Sequence, residues 1–375
     1  MSLFNVYPLF DITPLKAKDV HVYDEHENEY LDLYGGHAVI SIGHSHPTYV
    51  KNVSDQVANL GFYSNSIQNP LQKELAKEII EQSGSEGYEL FLCNSGSEAN
   101  ENALKLASFH TGKKKVIAFK NGFHGRTSAA VAATDNAKIV APINAQQKVE
   151  FVEFGNLEAV ENVLSKGDIC AVIVEVIQGI GGLEEATTQF YQGLSKLCKH
   201  YDTLFIADEI QCGFGRTGDF FAFQKHGIQP DIISMAKGMG NGFPIGGILI
   251  HPKIEASFGL LGTTFGGNHL ACAASLAVLE VLKAENLLNH AKEIEVYFKE
   301  QILKIPQVKT VKGRGLMLGL EFDFSIAELR KNLIHNHHIF TGSAKNPNLL
   351  RILPPLTVQK DHIEQFVSAL KKELS

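Results

Sequence analysis

The sequence predicts an α/β protein: a large, mostly parallel central sheet covered by helices, plus a smaller α+β unit built from both chain ends. Three observations carry that prediction. Short apolar runs alternate with helical patterns through the middle of the chain. Some runs, such as Ala171-Val172-Ile173-Val174, are apolar at every position, as strands buried on both faces must be. The two ends read differently from the middle. A chain of 375 residues suffices for two domains, expected at 46–284 for the large one and at 1–45 with 285–375 for the small one.

In chain order, Val20–Leu33 alternates like a hairpin with Asp24–Asn28 as its turn. Strands are expected at Glu89–Cys93, Lys115–Phe119, Cys170–Ile177, Thr203–Ala207, Asp231–Met235 and Gly247–Ile250. Helices are expected at Glu98–His110, Gln189–His200 and from Asn268 to Ala284. Beyond Glu285 come a charged helix, a Gly-rich strand region from Gly313 to Gly319, and a final amphipathic helix, Lys360–Leu374.

Composition narrows the function classes. With 44% hydrophobic and 20% charged residues the chain can bury a large core, which excludes intrinsic disorder. Acidic residues exceed basic ones, 41 to 34, and the only compact basic run is Lys113-Lys114-Lys115, so nucleic acid is not an expected partner. No apolar run reaches the ~18 residues of a membrane span, and Met1–Phe10 lacks the pattern of a signal peptide. A cytoplasmic location is the expectation. Five cysteines without a Cys-x-x-Cys read as small buried hydrophobes. His44-Ser45-His46 and His337-His338 lack acid or thiol neighbours at ligand spacing, so no metal is expected there.

Three segments carry chemistry. Asn94-Ser95-Gly96-Ser97-Glu98-Ala99-Asn100 follows an apolar strand and opens a helix, with Ser97 expected as the N-cap. A helix start offers unpaired N–H groups and the positive end of its dipole, suited to a phosphate; the same pattern also serves an ordinary capped helix. Phe205-Ile206-Ala207-Asp208-Glu209-Ile210-Gln211 runs a strand into two acids, where one carboxylate can hold a protonated ring nitrogen, a metal or a ribose hydroxyl. Ser234-Met235-Ala236-Lys237-Gly238 ends a strand on a lysine, which forms a Schiff base if its pKa is lowered and is otherwise merely solvated. Ser234-x-x-Lys237 also matches an acyl-serine template, without its companion motifs. Together, phosphate cradle, strand-end acid and strand-end lysine are what pyridoxal 5′-phosphate (PLP) requires.

On these residues the chain resembles the class III aminotransferases of PLP fold type I, and within them the acetylornithine aminotransferases. Further segments carry the likeness: Gly43-His44-Ser45-His46-Pro47, Phe123-His124-Gly125-Arg126-Thr127, Thr263-Thr264-Phe265-Gly266-Gly267-Asn268 and Arg351-Ile352-Leu353-Pro354-Pro355-Leu356. The resemblance implies that Lys237 forms the covalent link to PLP and shuttles the proton, and that Asp208 pairs with the pyridinium nitrogen. It implies Gln211 near the phenolic oxygen, Phe123 and Ile210 on the two ring faces, and Gly96 and Ser97 on the phosphate, joined by Thr264 from the partner of a homodimer. It places Thr263, Arg126 and Arg351 among the substrate contacts, Arg126 for the α-carboxylate of an acylated ornithine and Arg351 for that of glutamate or 2-oxoglutarate. The implied reaction moves the terminal amino group of N-acetylornithine, or another N-acylornithine, to 2-oxoglutarate, in arginine biosynthesis. Ornithine, succinylornithine and 4-aminobutyrate aminotransferases stand as alternatives. The chain departs from the pattern at Ile180, where the family usually has a glutamate, and at Val176, usually a proline.

Overall fold

The computed structural model describes residues 3–375. Its centre is a sheet of seven strands: β1 (Glu89–Cys93), β2 (Lys115–Phe119), β3 (Val149–Val152), β4 (Ile169–Glu175), β5 (Leu204–Asp208), β6 (Ile232–Met235) and β7 (Gly246–Ile250). Their spatial order is β1-β7-β6-β5-β4-β2-β3. Only β7 runs against the rest, pairing antiparallel with both β6 and β1. All seven residues of β4 and all five of β5 are buried, which explains why both are apolar up to their final acids, Glu175 and Asp208.

Alternation along these strands splits the core in two. Val172, Val174, Phe205 and Ala207 join one apolar cluster, whereas Ala171, Ile173 and Ile206 join the cluster on the opposite face. Each fully buried Ile or Phe contributes roughly 1.5–3 kcal/mol, so this double-sided burial holds the strand ends rigidly. Those ends carry the site.

The helix after β1 spans Gly96–Thr111 and stops at Gly112, whose φ of 69° is the left-handed cap that glycine adopts freely. Its N-cap is Ser95, not Ser97: the extended Ser95 accepts the Glu98 N–H on Oγ at 3.2 Å. Ser97 lies in the first turn. The sequence alone offers two serines at a plausible start, and only the backbone conformation separates them.

The hairpin near the N-terminus is formed by His21–Asp24 and Glu29–Asp32. The Asp24 carboxylate organises its turn, accepting the N–H groups of His26 and Asn28 at 2.9 Å each. Glu29–Asp32 then pairs in parallel with Ile339–Phe340, so the two ends of the chain share one sheet. The Gly-rich region forms a second hairpin, Thr310–Arg314 with Met317–Glu321, and the closing helix spans Lys360–Glu373. Among the helices beyond those expected, Pro47–Asn59 and Pro70–Ser83 each begin with a proline in the first turn. All five cysteines are buried and unpaired. His44, His46 and His337 each hydrogen-bond a carboxylate, of Asp32, Glu285 and Glu373 respectively. Among the described residues no helix is long and apolar enough to cross a membrane, and no cluster of three metal-ligating side chains occurs.

Candidate active site

A cavity of about 670 Å³ opens at the C-terminal ends of the parallel strands, where an open α/β sheet exposes backbone and side chains to ligand. It is lined by Gly96 and Ser97 after β1, Phe123 and Arg126 after β2, Glu175 and Ile180 around the end of β4, Asp208, Ile210 and Gln211 at the end of β5, and Lys237 after β6. Residues up to about 140 positions apart in sequence thus face one space because each follows a neighbouring strand.

Lys237 is part-buried and held at φ 47°, a left-handed conformation that costs a non-glycine residue of order 1 kcal/mol. Desolvation holds its ammonium below the ordinary lysine value; Asp208 and Glu175 oppose the shift and Arg351 adds to it. Asp208 is buried, and its Oδ2 accepts from Asn100 Nδ2 at 2.7 Å and from His124 Nδ1 at 2.8 Å. Asn100 in turn accepts from Ser234 Oγ at 2.6 Å. Burial works against a charged His124, but the hydrogen bond and charge of Asp208, aided by Glu175, raise its pKa. The His124 imidazole therefore backs the strand-end acid, whose Oδ1 accepts the Ile210 N–H at 3.1 Å.

The phosphate end is built from backbone. The first N–H groups of a helix have no intrahelical partner, and the Ser95 cap satisfies only that of Glu98. A Cβ on Gly96 would lie 2.7 Å from Ile210 Cγ2, so a side chain there would fill the cradle. The Ser97 hydroxyl faces the next loop, accepting from the N–H groups of Arg126 at 2.9 Å and Thr127 at 3.0 Å. Gln211 donates Nε2 to the His37 carbonyl at 3.2 Å, while its buried Oε1 has no partner among the described residues. The cradle, the orphaned Gln211 oxygen and the Asp208 carboxylate all fit PLP.

Arg351, Thr263 and Thr264 lie outside this lining. Arg351 is buried behind the cavity, donating Nε to the Ser343 carbonyl at 2.6 Å and Nη1 to the Gly179 carbonyl at 3.2 Å. No carboxylate is among its hydrogen-bond partners in the described residues, and Ile180 faces the cavity instead of an acid. Arg126 is exposed at the cavity. Thr263 Oγ1 accepts from Asn94 Nδ2 at 3.2 Å, and Thr264 is exposed and away from this chain's own cavity. Asn100, His124 and Glu175 are the polar side chains that sequence reading leaves unassigned. The first two sit inside motifs quoted for other members, and Glu175 ends the apolar β4; only the fold shows what each touches.

A strand-end lysine and a strand-end acid in one pocket, beside a helix N-terminus, define a PLP enzyme of fold type I. The family described as aminotransferase class-III matches residues 5–374. The acetylornithine aminotransferase of Bacillus subtilis is 40% identical over 100% of this chain and 98% of its own length; that of Aquifex aeolicus is 39% identical over 99% of each. The crystal structure of the ornithine aminotransferase from Toxoplasma gondii superposes with a TM-score of 0.91 at 26% identity, over 99% of this chain and 92% of that one. The chain belongs to the class-III aminotransferases, and its cofactor is PLP.

Proposed function

We propose that this aminotransferase moves the terminal amino group of N-acetylornithine to 2-oxoglutarate, giving N-acetylglutamate 5-semialdehyde and glutamate, in arginine biosynthesis. The full-length likeness to acetylornithine aminotransferases, at 40% and 39% identity, is the observation that carries the reading. The charges at the cavity support a masked amine. Its two lining carboxylates, Glu175 and Asp208, are both engaged by protein donors, leaving no free acid there to meet a substrate α-ammonium. An acylated ornithine presents only its carboxylate at that end, which the Arg126 guanidinium takes as a fork.

When bound, PLP supplies an aldehyde and an electron-accepting ring that let an amine-bearing carbon lose a proton. Gly96 and Ser97 would hold its phosphate through backbone N–H groups at the helix start. Phe123 and Ile210 would pack against its ring, and Gln211 would meet the phenolic oxygen. Asp208, hydrogen-bonded by His124 and Asn100, would hold a proton on the ring nitrogen. Lys237 would provide the amine for covalent attachment; desolvation lowers its pKa, which favours the neutral form that its Nζ needs to take and return the substrate proton. Arg351 is assigned to the α-carboxylate of glutamate and 2-oxoglutarate, although in this structure it lies buried behind the cavity on the Ser343 and Gly179 carbonyls, and Thr263 would complete the substrate contacts.

The active unit is a cytoplasmic homodimer. The Pro47–Asn59 helix buries none of its residues; Val57, Phe62, Tyr63, Ile67 and Phe265 are exposed apolar side chains, and Phe62 packs on Phe265, the sequence neighbour of Thr264. A two-fold partner covering that surface would receive Thr264 at its own phosphate cradle. Each protomer divides into a large domain, 46–284, and a small domain from 1–45 and 285–375.

A half-reaction panel tests the substrate. N-Acetylornithine, N-succinylornithine, ornithine and 4-aminobutyrate are mixed separately with the PLP-loaded enzyme, and loss of the visible band is timed. N-Acetylornithine is expected to exceed free ornithine in kcat/KM by at least ~10²-fold, about 2.7 kcal/mol. Faster conversion by ornithine or 4-aminobutyrate overturns the assignment.

A further inference from the structure

Glu175 ends β4 in register with Asp208 at the end of β5, so two carboxylates stand side by side on adjacent parallel strands. They have different partners. Asp208 faces His124 and Asn100, whereas Glu175 takes only backbone donors. Its Oε1 accepts the Phe123 N–H at 2.8 Å and its Oε2 accepts the Gly179 N–H at 2.9 Å. One side chain therefore holds two loops: the loop after β2 that carries Phe123, and the loop after β4 that carries Gly179 and Ile180. The second loop passes the constraint on, because the Gly179 carbonyl accepts Nη1 of Arg351. A side chain at Gly179 is excluded, since a Cβ there would stand 1.9 Å from Gln211 Oε1.

We infer that Glu175 is a positioning residue that locks the cofactor-stacking Phe123 loop to the loop orienting Arg351, so that the cofactor face and the substrate-carboxylate site are set by one buried group. The inference rests on the proposed roles of Phe123 and Arg351. A carboxylate suits the task because both of its oxygens accept hydrogen bonds. Glutamine would oppose one backbone N–H with its own N–H₂ and release one of the two loops. Aspartate keeps both acceptors but is one methylene shorter, so it reaches one loop better than both.

The test uses the PLP-loaded enzyme and compares wild type with Glu175→Gln and Glu175→Asp. Hydrogen exchange of the peptides containing Phe123 and Gly179 is measured together with visible circular dichroism of the bound cofactor and KM for each substrate. Glu175→Gln is expected to speed exchange in one of those two peptides at least tenfold and to weaken the dichroic band. It is also expected to raise KM for 2-oxoglutarate at least tenfold while KM for the acylornithine moves less than threefold. Glu175→Asp should fall between. In wild type, adding 2-oxoglutarate without an amine donor should slow exchange in both peptides together, a result that needs no variant to fold. Unchanged exchange in the variants, equal KM changes for both substrates, or slowing at Gly179 alone in wild type overturns the inference. Arg351→Ala separates the two layers: if it leaves KM for 2-oxoglutarate unchanged, the role of Arg351 fails, whatever the exchange data say about Glu175.

Discussion

Replacing Asp208 with asparagine removes one charge while preserving shape, and its effect can be worked from the contacts. Oδ2 accepts two donors, from Asn100 and His124, and Oδ1 stands beside the Ile210 N–H. An asparagine can keep its oxygen toward the first pair, but its N–H₂ then faces Ile210 and the cavity. Hydrogen bonds to a charged group contribute about 1.5–3 kcal/mol and neutral ones about 0.5–1.5, so the two retained bonds weaken by roughly 1 kcal/mol each. His124 also loses the charge that raises its pKa. For the cofactor, an adjacent opposite charge typically moves a pKa by 1–3 units, so without it the ring nitrogen would hold its proton less readily. PLP should still bind, because phosphate cradle and lysine are untouched, while kcat falls at least ~10²-fold. The assay is single-turnover conversion of the PLP form by N-acetylornithine, with bound cofactor quantified in the same sample. Turnover within about fivefold of wild type would remove Asp208 from its role, and loss of bound PLP would place the carboxylate in binding rather than in reactivity.

Two other outcomes follow from named contacts. Gly125 has φ 136°, and a Cβ there would stand 2.3 Å from Ser97 Oγ. Gly125→Ala should therefore displace the Ser97 turn and weaken PLP binding at least tenfold, about 1.4 kcal/mol, by equilibrium dialysis; an unchanged Kd contradicts this. Burial tends to raise the pKa of Glu185, yet His226, Arg314 and Lys225 hold it down at about 2. A depressed carboxylate stabilises the fold above its unfolded pKa and loses that contribution as pH falls toward 2. Glu185→Gln should flatten the stability loss between about pH 5 and pH 2 in urea titrations; parallel curves for the two proteins would refute it.

Much of this was legible in the sequence because it depends on local pattern. Unbroken apolar runs mark β4 and β5, and the acid and lysine that follow β5 and β6 are read directly from order along the chain. The N-cap was not, since Ser95 and Ser97 differ only in backbone conformation. The Pro47–Asn59 helix does carry apolar residues at helical spacing, Val50, Val53 and Val57, but buries none of its residues in this chain, so that stripe marks no core face. Short edge strands such as β3, with one buried residue in four, carry too little alternation to stand out. Contacts between loops were invisible for a different reason. The bridge from Glu175 to Phe123 and Gly179 joins segments brought together by strand order in the sheet, which periodicity does not encode.

Covalent attachment at Lys237 is the central claim, and chemical trapping tests it most directly. The PLP-loaded enzyme is reduced with borohydride, digested, and its peptides weighed. The pyridoxyl mass is predicted on the peptide containing Lys237 at close to one per chain, and on no peptide of Lys237→Ala treated alike. Label on another lysine, or wild-type turnover by Lys237→Ala, would contradict the account.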